Sequence, residues 1–289
     1  MQSLRSWSIA APGILWLTAL GCTRPAPPPP STTIQMLAVP KLPLDPSDEL
    51  WKKTPEYSAA LIPQDLVDPR LMQPSTSSLR IRALTEGSHV AFRMEWTDET
   101  ENNRSTPNEF GDGCAVQMPS KVKPTIPAPQ MGEPGRPVQI TFWNAAWQAV
   151  AEGRGDTLQD LYPRANVDHY PFQAAALKPD SPEQSEMAKR YSPARAAGNP
   201  MSRPPGAPVQ DLQAEGPGSL SSLPHTTSKG SGRRIEHGWA VVITRELPAG
   251  MNEQPQGQVA FAVWDGAHEE VGARKMRTAW IPLVRPEKP

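Results

Sequence analysis

The groups that carry most biochemical reactions are sparse and scattered in this sequence. Its five histidines, His89, His169, His225, His237 and His268, show no metal-ligand spacing. Its two cysteines, Cys22 and Cys114, are too few for a four-thiolate metal site or a disulfide-dense scaffold. No nucleophile elbow, phosphate loop, dinucleotide fingerprint or zinc-protease helix motif occurs. Four acids, Asp98, Glu99, Glu101 and Asp112, follow one alternating segment. Oxygen donors of this kind suit calcium, and the same composition makes an ordinary solvated turn. Asp265-Gly266 reads as a turn after a later apolar run. On residue type alone, Met131 is a loop methionine packing on an aromatic. Lys275, among Arg274 and Arg277, is a solvated basic turn. Trp143, Trp147, Trp264 and Trp280 could instead form a platform for carbohydrate, the reading of an extracytoplasmic carbohydrate- or ligand-binding β-sandwich lipoprotein.

Composition narrows what can position such groups. The 289 residues include 36 Pro and 20 Gly, about a fifth of the chain, against an average near 12%. Proline inside a helix costs about 3 kcal/mol, so a helical bundle is excluded. The net charge of -1 argues against nucleic-acid binding by phosphate neutralisation. The chain reads instead as short strands between turn signals. Leu79–Leu84 alternates apolar and basic residues. His89–Thr97 sets Val90, Phe92, Met94 and Trp96 on one face and Ala91, Arg93, Glu95 and Thr97 on the other. These two runs predict a hairpin. Cys114–Met118, Val138–Trp143, Trp239–Thr244, Val259–Trp264 and Trp280–Val284 are further strands. The expected fold is mainly β, an antiparallel β-sandwich with long loops and a few short helices. Residues 153–233 interrupt the pattern and predict a long inserted arm, with short helices at Leu158–Leu161 and Glu183–Tyr191.

The amino-terminal segment reads as an address. Arg5 followed by the apolar run Ala10–Leu20 is a secretory signal over residues 1–21, too short to span a bilayer. Thr18-Ala19-Leu20-Gly21-Cys22 resembles a bacterial lipobox, which implies lipidation of Cys22 and a periplasmic, membrane-anchored protein. Ordinary signal cleavage beside an incidental cysteine is the other reading. Residues 22–40, with the Pro27–Pro30 run, predict a stiff tether. The remaining domain is then 41–289.

Five motifs occur in order along the body: Val90–Asp98; Asp112–Pro119; Met131-Gly132-Glu133-Pro134-Gly135-Arg136-Pro137-Val138 with Trp143; Gly238–Leu247; and Val259–Gly266 with Lys275 and Trp280. In this order they resemble the haem b-binding gamma subunits of type II dimethyl-sulfoxide-reductase-family molybdoenzymes, over roughly Leu44–Val284. The resemblance implies a β-sandwich with one b-type haem, whose iron takes Met131 and Lys275 as axial ligands. Met118, which precedes Pro119 in a neighbouring motif, is a competing axial candidate that reads as core. Arg274 and Arg277 are candidates to pair with haem propionates. The resemblance further implies a non-catalytic electron-transfer subunit. Its partners would be a molybdopterin-containing catalytic subunit, an iron–sulfur subunit, and a c-type cytochrome or quinone-linked acceptor.

Overall fold

The computed structural model describes residues 31–106, 108–155, 158–165, 178, 181–183, 186–187 and 206–286. The leader 1–21, Cys22, the run Pro27–Pro30 and most of the helix expected at Glu183–Tyr191 lie outside the described residues. The strands are β1 (Ile34–Ala38), β2 (Tyr57–Ala60), β3 (Ile62–Pro63), β4 (Ser78–Glu86), β5 (His89–Thr97), β6 (Gly113–Pro119), β7 (Val138–Asn144), β8 (Val209–Ala214), β9 (Ser221–Ser222), β10 (Lys229–Ile235), β11 (Gly238–Glu246), β12 (Gln256–Trp264), β13 (Met276–Arg277) and β14 (Ile281–Val284). Short helices among the described residues include α1 (Leu50–Lys53), α2 (Ala145–Ala151) and α3 (Leu158–Leu161). The fold is mainly β, as the alternation predicts.

Hydrogen bonding runs in the order β10-β11-β5-β4-β1-β14-β12-β6-β7-β8-β9. The run from β10 to β1 forms a first layer, and the run from β14 to β9 forms a second. The expected hairpin is present, with Glu86 paired to His89 and Arg80 to Glu95. Most pairings are antiparallel. Strand β1 departs from that rule, pairing in parallel with both β4 and β14.

The two layers face each other across one core. Val90, Phe92, Met94 and Trp96 of β5 meet Cys114, Val116 and Met118 of β6, Trp143 of β7 and Phe261 of β12 in one buried cluster. Edge-to-face ring contacts bind the layers: Phe92 to Phe261 at 5.5 Å, Trp96 to Trp143 at 6.4 Å and Trp143 to Trp239 at 5.2 Å. Each such pair adds about 0.5–1.5 kcal/mol beyond the area it buries. The Trp143 indole N–H donates to Gln148 Oε1 at 2.7 Å, so its polar edge is satisfied in the interior.

Two boundaries differ from the sequence expectation. The tether assigned to 22–40 ends too late, because β1 occupies Ile34–Ala38 and buries Ile34 and Met36 in the core. Two inward positions in a five-residue strand give too little periodicity to register. The arm assigned to 153–233 contains the short α3 as expected, but also β8, β9 and most of β10. Strand β10 reads Lys-Gly-Ser-Gly-Arg-Arg-Ile and carries glycines in its interior for a packing reason. A side chain at Gly232 would collide with the Trp143 ring pressed against it.

Candidate functional site

Outward-facing residues of a sandwich are ordinarily polar. On the second layer they are not. Strand alternation sends Ala115 of β6, Ile140 and Phe142 of β7, Leu212 of β8, and Ala262 and Trp264 of β12 to the side away from the core. These residues form their own apolar cluster. They floor a cavity of about 600 Å³, within the roughly 300–1,000 Å³ range of cofactor sites. Phe142 stands edge-on to Trp264 at 5.0 Å and to Trp147 at 5.3 Å, which stiffens the floor.

The loop from Ser120 to Pro137 makes one wall and carries Met131. Met131 lines the cavity and packs against the apolar cluster. Its φ is 66°, in the left-handed region, which costs a non-glycine residue about 1–3 kcal/mol and persists only where its surroundings enforce it. The enforcement is visible. Gly216 N donates to Met131 O at 2.8 Å, the Trp280 indole donates to Pro127 O at 2.7 Å, and Gln117 Nε2 donates to Pro129 O at 2.9 Å. Glu133 accepts from Ala128 N at 3.0 Å.

The segment after β12 makes the opposite wall and carries Lys275. It begins with a 3-10 turn, Gly266–His268, capped by the Asp265 carboxylate accepting from Ala267 N. Lys275 O accepts from Gln64 N at 2.9 Å, and Gln64 Nε2 donates to Ala273 O at 3.1 Å, which fixes the backbone. The Lys275 ammonium lies 5.2 Å from the Trp264 ring centroid. Burial, helped by the charge of Arg277, lowers its pKa to about 8. Met131 and Lys275, far apart in the chain, therefore line one cavity. Arg277 lines it too, whereas Arg274 stacks over Phe110 at 6.0 Å.

The other sequence candidates fall elsewhere. Met118 lies on the core face of β6, as expected. Trp143 is interior, Trp147 and Trp264 are buried, and only Trp280 of that set is partly exposed, so the four form no open platform. The reason is that β7 carries apolar residues on both faces. Among the described residues no histidine lines the cavity. Of the acidic group, Glu99 and Glu101 are exposed, while Asp98 and Asp112 are buried and meet Asp265 instead. Asp265 was missed because a single Asp-Gly after a strand is the ordinary signature of a turn. Cys114 is a free buried thiol on the core side of β6, its pKa raised by burial.

The chain is similar to several known proteins. The ethylbenzene dehydrogenase family profile matches residues 48–276. A protein of Haloferax mediterranei named as a respiratory nitrate reductase haem subunit is 23% identical over 82% of this chain and 67% of its own length. Dimethylsulfide dehydrogenase subunit gamma of Rhodovulum sulfidophilum is 20% identical over 87% of this chain and 81% of its own. Chlorate reductase subunit gamma of Ideonella dechloratans is 23% identical over 82% and 78%. Among solved structures, a family 9 carbohydrate-binding module from Caldicellulosiruptor kristjanssonii in complex with cellotriose aligns over 88% of this chain and 95% of its own, at 8% identity and a TM-score of 0.42, a likeness too distant to carry an argument. The profile match spans most of the chain, and the protein belongs to the ethylbenzene dehydrogenase family, with the gamma subunits of type II dimethyl-sulfoxide-reductase-family enzymes.

Proposed function

We propose that this protein is the haem b electron-transfer subunit of an exported molybdenum-containing oxidoreductase complex, with Met131 and Lys275 as axial ligands. The observation that carries this reading is the shared cavity: a thioether and an amine, remote in sequence, line one apolar chamber on the outer face of the second layer.

The donor chemistry fits a haem. When bound, haem supplies one-electron exchange between its ferric and ferrous states. An amine ligates iron only when deprotonated. With its pKa near 8, about a tenth of Lys275 is neutral at pH 7 before any metal competes for the proton. Met131 offers a soft neutral sulfur, which raises a haem potential. Its enforced backbone fixes where that sulfur is presented. The apolar floor of Ala115, Ile140, Phe142 and Leu212 suits the apolar face of a macrocycle, and Arg277 supplies a cation for an acidic edge of the group. Two protein ligands leave no open iron position for a substrate, which suits relay rather than catalysis.

The relatives named as gamma subunits support assembly with a molybdopterin-containing catalytic subunit and an iron–sulfur subunit. The acceptor or donor on the far side is a c-type cytochrome or a quinone-linked protein. The signal-like segment 1–21 and the lipobox-like Cys22 support a periplasmic, membrane-anchored location. Changing Cys22→Ser should then move the protein from the membrane fraction to the soluble one.

The reading is tested by the absorption spectrum of the purified protein and its pyridine haemochrome. A Soret band and a b-type haemochrome are expected, and their absence overturns haem binding. Met131→Ala and Lys275→Ala should each change the spin state or lose haem. Two variants with unchanged low-spin spectra would refute the ligand assignment while leaving haem binding intact.

A further inference from the structure

A second site lies at one end of the sandwich, beside the cavity, whose lining includes the neighbouring Gly111, Trp264 and Glu270. Asp98 follows β5, Asp112 precedes β6 and Asp265 follows β12. All three are buried. Each offers a carboxylate oxygen, and the three oxygens lie within 4.8 Å of one another. Two oxygens that share one calcium ion lie at most about 4.8 Å apart, twice a calcium–oxygen distance of about 2.4 Å, and each pair here meets that bound. Glu270 adds a fourth buried carboxyl nearby, accepting from Asp265 N at 3.0 Å.

The local hydrogen bonds are nearly complete, with one exception. Asp112 Oδ1 accepts from Gly266 N at 2.9 Å, and its Oδ2 accepts from Asn102 N at 2.8 Å and from the Trp239 indole at 2.9 Å. Gly266 can approach so closely because any side chain there would strike Phe110 O and Asn102. Asp265 Oδ1 caps Ala267 N at 3.0 Å, and its Oδ2 lies 2.8 Å from His268 Nδ1. Asp98 Oδ1 accepts from both Thr100 N and Thr100 Oγ1, at 2.9 and 3.0 Å. Asp98 is only 4% exposed, yet its Oδ2 is buried with no hydrogen-bond partner. A desolvated carboxylate oxygen left bare beside two other carboxylates is doubly unfavourable.

The nearest fixed positive charge does not answer it. The Arg234 guanidinium donates to Thr100 O at 2.7 Å and to Asp98 O at 3.0 Å, both backbone carbonyls, and stacks on Trp239. Burial and mutual repulsion push Asp112 up to about 7 and raise Asp98.

We infer that Asp98, Asp112 and Asp265 bind one calcium ion, with Asp98 Oδ2 as its otherwise bare ligand. The donors are all oxygens, which selects a hard cation. The three come from irregular loops, which suits calcium's flexible shell of 6–8 ligands better than magnesium's strict octahedron at about 2.1 Å. The ion ties the end of β5 in the first layer to β6 and β12 in the second. This inference is independent of the haem reading, because none of the three carboxylates lines the cavity.

The test is titration calorimetry of the purified, chelator-stripped protein with calcium chloride and with magnesium chloride, alongside thermal unfolding. One calcium per chain is expected, at least tenfold tighter than magnesium. At a hundredfold excess over Kd, Tm should rise by about 5 °C or more. The near-isosteric Asp98→Asn keeps the Thr100 turn and should weaken calcium at least tenfold, abolish the Tm rise at that calcium concentration, and raise Tm in the absence of calcium. Asp265→Asn should weaken calcium to the same degree and replaces Asp98→Asn if that variant does not fold. The Soret band of either variant should match wild type. Absence of both calcium heat and a Tm shift in the wild type would overturn the site, as would variants binding like wild type. Magnesium binding as tight as calcium would overturn the choice of ion.

Discussion

The two outward faces of this sandwich obey the same alternation and carry opposite content. On the first layer, Arg80, Arg82 and Arg93 gather round the buried carboxylate of Glu95, with Arg82 also paired to Glu56 at 2.6 Å. On the second, the equivalent positions are Ala115, Ile140, Phe142, Leu212 and Trp264. A charged network needs only solvent and its own members. An apolar outer face needs a cover, and here loops carrying Met131 and Lys275 arch over it without filling the space beneath. Which face holds chemistry is thus decided by where polarity is missing, since charge alone marks the face that is complete in itself.

The largest effect should come from breaking the complete face. Glu95→Ala leaves three arginines without their common carboxylate and should cost about 3 kcal/mol in urea unfolding, with little change at the cavity. If cavity-face variants destabilise the haem-free protein as much, the contrast between the faces fails.

Lys275→Met should act in the other direction on haem-free protein. The folded-state pKa of Lys275 is lowered, so the neutral amine is the form the fold tolerates. The associated stability is present above the unfolded value near 10.5 and lost as pH falls through about 8. The variant should therefore be more stable than wild type below pH 8, by at most about 3 kcal/mol. The gap should close between pH 8 and 10.5. A pH-independent gap would show that burial does not perturb this amine.

Phe142→Ala removes two edge-on ring contacts at the cavity floor. It should cost about 1–2 kcal/mol, less than a core aromatic, because one side of the ring already faces open space. A loss of 4 kcal/mol would mean the floor is packed as tightly as the interior. The smallest effect is expected from Arg277→Gln. Removing that charge should let the Lys275 pKa rise toward its ordinary value, visible in the NMR titration of the isotopically labelled amine; a fall would refute the assigned cause.

Much of the layer structure was legible because β4 and β5 alternate cleanly, with arginine and glutamate marking one side. The second layer was legible as strands but not as a site. Gln-Val-Ala-Phe-Ala-Val-Trp is apolar on both faces, a pattern that signals cover on both sides without saying what supplies it, and Val-Gln-Ile-Thr-Phe-Trp alternates without saying which side meets the core. Met131 and Lys275 were reached through the order of the motifs, since each alone is an unremarkable loop residue. Strand β10 was lost because its glycines answer to Val209 and Trp143, neighbours distant in sequence. The Asp98 cluster was half seen: two of its members stood in the acidic loop, but the third sits more than a hundred residues on, and burial chose it over Glu99 and Glu101.

Strand β1 has a kinetic consequence. Ile34 pairs with Leu283 and Met36 with Ala83, so the strand that joins the layers needs a partner from almost the other end of the described chain. During synthesis the hairpin β4–β5 can form early, while the seam waits for β14. Closure then pays the loop entropy of nearly the whole domain at once, which makes it a late step in folding. Until it occurs, the inward side chains of Ile34 and Met36 and the edges of β4 and β12 are open to other chains. The protein's greatest exposure to aggregation should fall in that interval, before its last strand is in place.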